Sequence, residues 1–135
     1  MKPLAFFCIA DANNLKYFEM MKNSLKKFHP DIPLILIGEE QIKKYNDPHF
    51  FYRATPIVAS ELMNEYDCVI KLDADQIITG DLSHTWADDF DIGVVNNSNP
   101  REFKAYPVSV LDIHPLAYVN CGFVVMKSKQ FVEHW

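Results

Sequence analysis

Glycine is scarce. Only four occur in 135 residues, and none falls in a Gly-X-Gly-X-X-Gly or Gly-X-X-X-X-Gly-Lys loop, so the chain has no backbone phosphate cradle of the dinucleotide or P-loop type. The three cysteines, Cys8, Cys68 and Cys121, are far apart, and neither Cys-X-X-Cys nor His-X-X-X-His appears, which removes a zinc site of close-spaced ligands. Basic residues are in deficit, thirteen against eighteen acidic, giving a net charge of -5. Binding to a nucleic-acid backbone needs the opposite balance, so a nucleic-acid partner is not expected. No segment approaches the roughly 20 apolar residues that cross a bilayer, so no transmembrane segment is expected either.

What is present suffices for one globular domain over residues 1–135: 49% of residues are hydrophobic and 13% aromatic, enough to fill a core at a common domain size. The cysteines lie in apolar runs (FFCIA, DCVIKL, NCGFVV) and read as small core residues of a protein in a reducing, cytoplasmic compartment. The opening MKPLAFFCIA has the look of a very short signal peptide, but its apolar run is at the lower length limit and ends in the polar cluster DANN. A buried first strand followed by a turn is the better reading.

Short apolar runs alternate with helical stretches, the order of an α/β protein with a mainly parallel sheet flanked by helices. Strands are expected at 4–10, 33–38, 68–72, 92–95 and 121–126. A helix capped by Asn13 or Asn14 should run to about Phe28, with Leu15, Phe18, Met21, Leu25 and Phe28 on one face. Between 39 and 56 at most a short helix precedes a loop, and a further helix should start at Pro56 and end near Glu65. Asp81 is a plausible cap for DLSHTW, and KSKQFVEHW opens another helix.

Two Asp-X-Asp pairs occur, and with eleven aspartates about one is expected by chance. Position separates them. Asp89-Phe90-Asp91 precedes its strand and reads as a solvated turn, whereas Asp73-Ala74-Asp75 directly follows the apolar strand CVIKL. Residues two apart at the end of an extended strand project to one side, so Asp73 and Asp75 should converge outside the sheet, where open parallel sheets bind ligands. Two hard oxygen donors with open positions suit magnesium or manganese, which would offset charge on a diphosphate leaving group. The alternative is that both aspartates merely end a strand and cap the next turn.

The string DCVIKLDADQIITGDLSHTW resembles the metal-binding segment of the family 8 glycosyltransferases, the group containing glycogenin and bacterial lipopolysaccharide galactosyl- and glucosyltransferases. Leu72, Asp73, Asp75, Ile77, Ile78, Gly80, Asp81, Leu82 and Trp86 stand at the motif positions, and Lys71 replaces an aromatic or apolar residue. YVNCGFVVMKSKQF is similar to the family's Phe-Asn-Ala-Gly strand, with Asn120 and Gly122 matching and Cys121 in place of Ala. The resemblance implies an A-type, Rossmann-like nucleotide-diphospho-sugar transferase fold and manganese-dependent transfer from a UDP-sugar, with retention, to an acceptor (a glycan, a lipid-linked sugar or a protein). By the same resemblance Ala10 and Asp11 would line the uridine site and Arg53 would supply a cation near the donor. Asp73, Ala74 and Asp75 would hold the metal and diphosphate, and Asn120 would orient the sugar; Asn96 and Asn97 fit ordinary turn chemistry better.

The family continues to a His-X-X-Gly-X-X-Lys-Pro-Trp segment whose His completes the metal site. His114 and His134 lack the following Gly and Lys and are not assigned to that place, so the fold is expected to be C-terminally incomplete. Homo-oligomerisation is left open. Rival readings are a non-catalytic sugar-nucleotide-binding or scaffold domain, an aspartate-based phosphohydrolase, whose motif normally follows the first strand and not the third, and a nucleotidyltransferase, which normally carries a Gly-rich signature near that strand.

Overall fold

The structure is a computed structural model that describes residues 3–45, 50–96 and 119–135, with 50–53, 96 and 119 described in their backbone alone. Five strands form one sheet in the order β2-β1-β3-β5-β4: β1 Leu4–Ile9, β2 Leu34–Ile37, β3 Cys68–Leu72, β4 Ile92–Asn96 and β5 Val119–Met126. Helices α1 Leu15–Lys26, α2 Glu39–Lys43, α3 Phe50–Leu62 and α4 Lys129–His134 complete the described elements. Each expected strand is found within two residues of its expected ends, as suits short apolar runs bounded by polar turns.

β1 pairs parallel with β2 and β3, and its side chains alternate between two cores. Phe6 and Cys8 face a cluster with Phe18, Met21 and Leu25 of α1 and Ile70 and Leu72 of β3. Phe7 faces the other side, with Ala54, Val58 and Ala59 of α3, Val124 and Met126 of β5, and Val132 of α4. A strand buried on both faces must be apolar at every position, which is why LAFFCI carries no alternation.

Three details differ from expectation. β5 runs antiparallel to both neighbours, so the sheet is mixed, with two parallel and two antiparallel pairings, where a mainly parallel one was expected. α1 has Asn14 at its N-cap, as expected, but with no side-chain cap bond: Asp11 caps the 3-10 turn Ala12–Asn14 before it, its Oδ1 accepting from the backbone N of Asn14 at 3.1 Å, and the helix ends at Lys26 with Leu15 and Phe28 exposed. α3 begins six residues before Pro56, which sits inside it. The ring costs the helix one backbone bond, but Ala54, Val58 and Ala59 pack against the sheet, and that burial outweighs a local breaker.

Among the described residues no helix is long and apolar enough to cross a membrane. Because Ile70 is fully buried in the central strand while Ile77 is 55% exposed, Ile70→Ala should lower unfolding free energy in urea by about 2–5 kcal/mol. Ile77→Ala should stay within about 0.5 kcal/mol. Equal losses would contradict this placement of β3.

Candidate donor and metal site

The site begins where β3 stops. β3 pairs with β5 through Leu72 opposite Phe123, and the ladder continues one step beyond the strand, the backbone N of Asp73 donating to Gly122 O at 2.9 Å. On its far side β5 has an irregularity: Val94 of β4 faces Val124 but Val95 faces Asn120, leaving Cys121, Gly122 and Phe123 without partners on β4. This bulge folds residues 120–122 over the end of β3, as bulges beside functional sites often do. A Cβ at Gly122 would lie 2.7 Å from Asp73 Oδ2 and 2.8 Å from Asn120 Oδ1, so any side chain there would push these two groups aside.

Asp73 is held from several sides. Its backbone N also donates to Gln76 Oε1 at 3.2 Å, its carbonyl accepts from Gln76 N, and its Oδ1 receives the ammonium of Lys71. Lys71 is 8% exposed and donates a second bond to Cys121 O at 2.7 Å. A buried ammonium without such partners would cost several kcal/mol, by about the desolvation of one ion. Lys71 and Asp73 lie two apart, and because the ladder with β5 runs one step past Leu72 they share a face of the sheet.

The loop after Asp75 is tied to α1. Ser24 Oγ accepts from Ile78 N at 2.9 Å while donating to Met21 O, and His29 Nε2 accepts from Leu82 N at 3.0 Å. The His29 ring packs against Phe6 and Trp86, and Asp81 Oδ1 accepts from Ser83 N and Oγ, which holds its carboxyl below the usual carboxylate range. Gly80-Asp81-Leu82 and Trp86 are thus a structural brace for the Asp73–Ile78 loop. Ser24 and His29 carry no sequence signal, because a brace made of distant single residues has no motif, and Lys71 and Gln76 reveal their roles only through their bonds to Asp73.

Asp73 and Asp75 do share one recess, of about 210 Å³, with Ile9, Asn14 and Ala74. They reach it through a turn and not as alternate residues of a strand, because β3 ends at Leu72. Asp75 is exposed and also borders a second recess with Tyr17, Met20, Gln76 and Ile77. Ala10 and Asp11 line a third, of about 250 Å³, between the ends of β1 and β2. A cavity of about 420 Å³ between α3 and α4 shares no lining residue with these recesses. It is lined by Pro56, Ile57, Ser60, Glu61, Val132, Glu133 and Trp135, whereas Asp73 and Asp75 stand at the strand ends, where open α/β sheets bind ligands, so we place the site there.

Asn120 is exposed, with Oδ1 accepting from Gly122 N at 2.6 Å, which orients its amide beside Asp73. The side chains of Arg53 and Asn96, and all of Asn97 and His114, lie outside the described residues. His134 is in α4 with Nδ1 against Gln130 O and borders none of these recesses. The second Asp-X-Asp is an exposed irregular segment leading into β4, with Asp91 O accepting from Lys127 N and Ser128 N. Two carboxylates on one recess fit a hard divalent cation as donors, but among the described residues no group of three His, Cys, Asp or Glu side chains gathers to complete a coordination set.

Of the cysteines, Cys8 is buried as expected and Cys68 half-buried, whereas Cys121 is exposed on the bulge. The bulge turns it out of the core to which an apolar run assigned it.

No protein-family model matches the sequence, and no curated protein sequence matches it. Solved structures do. A galactosyltransferase, LgtC, in complex with donor and acceptor sugar analogues is similar over 97% of this chain and 60% of its own, at 18% identity and a TM-score of 0.66. The bifunctional glycosyltransferase WbbM matches 98% of this chain with a TM-score of 0.67 at 14% identity, and GlyE of Streptococcus pneumoniae matches 99% with 0.63 at 16%. The chain spans 60% of the LgtC chain, 33% of WbbM and 36% of GlyE. Its fold is that of the A-type glycosyltransferases.

Two outcomes test this geometry. Gly122→Ala should leave the far-UV circular dichroism unchanged yet displace the Asp73 carboxylate, seen as a shift of the Asp73 side-chain carbonyl resonance; an unmoved resonance would mean the approach is looser than described. Burial pushes the Cys8 thiol up to about 12 and the Cys68 thiol to about 11, so at pH 8 both stay protonated and unreactive. A maleimide should therefore label Cys121 first, with Cys8 and Cys68 reacting only on unfolding. Labelling of Cys8 in the folded protein would contradict its burial.

Proposed function

We propose that this chain is the donor-binding part of a glycosyltransferase that moves a sugar from a nucleotide-diphosphate sugar, UDP-linked, to an acceptor hydroxyl. A manganese or magnesium ion held by Asp73 and Asp75 belongs to this reading. The observation that carries it is the sharing of one recess by both carboxylates at the end of a central strand, beside the Ala10 and Asp11 recess, in a sheet of glycosyltransferase shape.

The roles follow from the chemistry of each group. Ala10, small and buried, leaves room for a planar base, and Asp11, already fixed as the cap of its turn, presents the edge of that recess. A divalent ion, when bound, would neutralise charge on the diphosphate as the glycosidic bond breaks. Asp73 is prepositioned for this by its backbone bonds to Gly122 and Gln76, so little reorganisation is needed on binding. Asn120 would orient a sugar hydroxyl through its amide, and Arg53 would add a cation near the donor. The anomeric outcome, retention as in hexosyltransferases of this kind, and the nature of the acceptor are part of the proposal. Three free thiols suit a reducing, cytoplasmic setting.

A binding-only domain is the second reading, favoured by the two-carboxylate set. Calorimetry separates these views. UDP-galactose or UDP-glucose with manganese should bind the chain, and Asp73→Asn or Asp75→Asn should weaken binding at least tenfold, about 1.4 kcal/mol. Affinity that survives EDTA unchanged would exclude the metal; donor hydrolysis above background would favour an enzyme over a binding module.

A further inference from the structure

Among the described residues Lys71 is the buried Lys or Arg beside the candidate site. It stands in the middle of the sheet, paired with Phe7 of β1 and Val124 of β5, and its ammonium is fixed by two acceptors, Asp73 Oδ1 and Cys121 O. Asp73 is therefore neutralised before any ligand arrives, by a group that belongs to the fold.

We propose that Lys71 is a built-in competitor for the divalent cation at Asp73, so that the ion binds firmly only when a nucleoside diphosphate arrives with it. This rests on the reading of Asp73 and Asp75 as the metal pair. Without Lys71 a metal would meet two negative charges; with it, the local sum is one, and the incoming ion is also repelled across the shared carboxylate by a fixed ammonium in a partly desolvated setting. A diphosphate brings its own negative charge and oxygen donors, restores the attraction and completes the coordination that two carboxylates leave open. The ammonium need not leave, because Cys121 O still holds it. Metal and nucleotide thus become coupled ligands, each raising the affinity of the other by the same factor.

The test titrates manganese by calorimetry, alone and with saturating UDP, into the parent chain and into Lys71→Met, Lys71→Gln and Asp73→Asn. Met fills the same volume without charge, while Gln keeps a donor for Cys121 O; circular dichroism and thermal midpoints establish that each is folded. Both Lys71 variants should bind manganese alone at least tenfold tighter than the parent, and the gain that UDP gives should shrink accordingly. In the parent, UDP should raise manganese affinity at least tenfold. Unchanged manganese affinity in either folded Lys71 variant, with Asp73→Asn still losing the ion, overturns the role of Lys71 and leaves the metal pair standing. A parent that shows no coupling to UDP overturns it even where neither variant folds. Manganese binding that is the same in Asp73→Asn as in the parent overturns both readings.

Discussion

The candidate site depends on how the bulged end of β5 closes over the end of β3. Two contacts make the closure: the backbone bond from Asp73 N to Gly122 O, and the Lys71 ammonium shared by Asp73 and Cys121 O. Either alone would leave a loop free to turn. Together they fix where one carboxylate stands and what charge it faces, and the bare backbone of Gly122 leaves that carboxylate its place.

The rest of the fold serves that closure. A strand buried on both faces can place a charged residue near its end only if a partner waits there, since an unpaired ion in the interior costs several kcal/mol, on the order of its desolvation. β5 supplies the partner by running antiparallel, which brings its Asn-Cys-Gly start beside the carboxyl end of β3. On the opposite face Ser24 and His29 hold the following loop by its amides at Ile78 and Leu82, so the turn carrying Asp75 is anchored at both ends.

Much of this was legible in the sequence. LAFFCI announces a strand buried on both faces because two-sided burial demands an unbroken apolar run, LILI is the half-buried edge strand beside it, and the position of Asp73 and Asp75 after CVIKL separated them from the exposed Asp89 and Asp91. The local resemblance around Leu72 to Trp86 pointed to the fold that the solved structures share. Strand direction was not legible, because an apolar run reads alike in either sense, and so the bulge that exposes Cys121 and lifts Asn120 and Gly122 over Asp73 was hidden too. The start of α3 was masked by Pro56, a local signal that packing overrode. Lys71 looked like a tolerated exception; only its acceptors reveal a partner for Asp73.

The most direct measurement is anomalous diffraction at the manganese edge from crystals of this chain soaked with manganese and UDP. The account predicts one strong peak in coordination contact with both Asp73 and Asp75, with the diphosphate on its open side. A peak held by other residues, or nucleotide bound in the cavity between α3 and α4 with no metal at the end of β3, would contradict it.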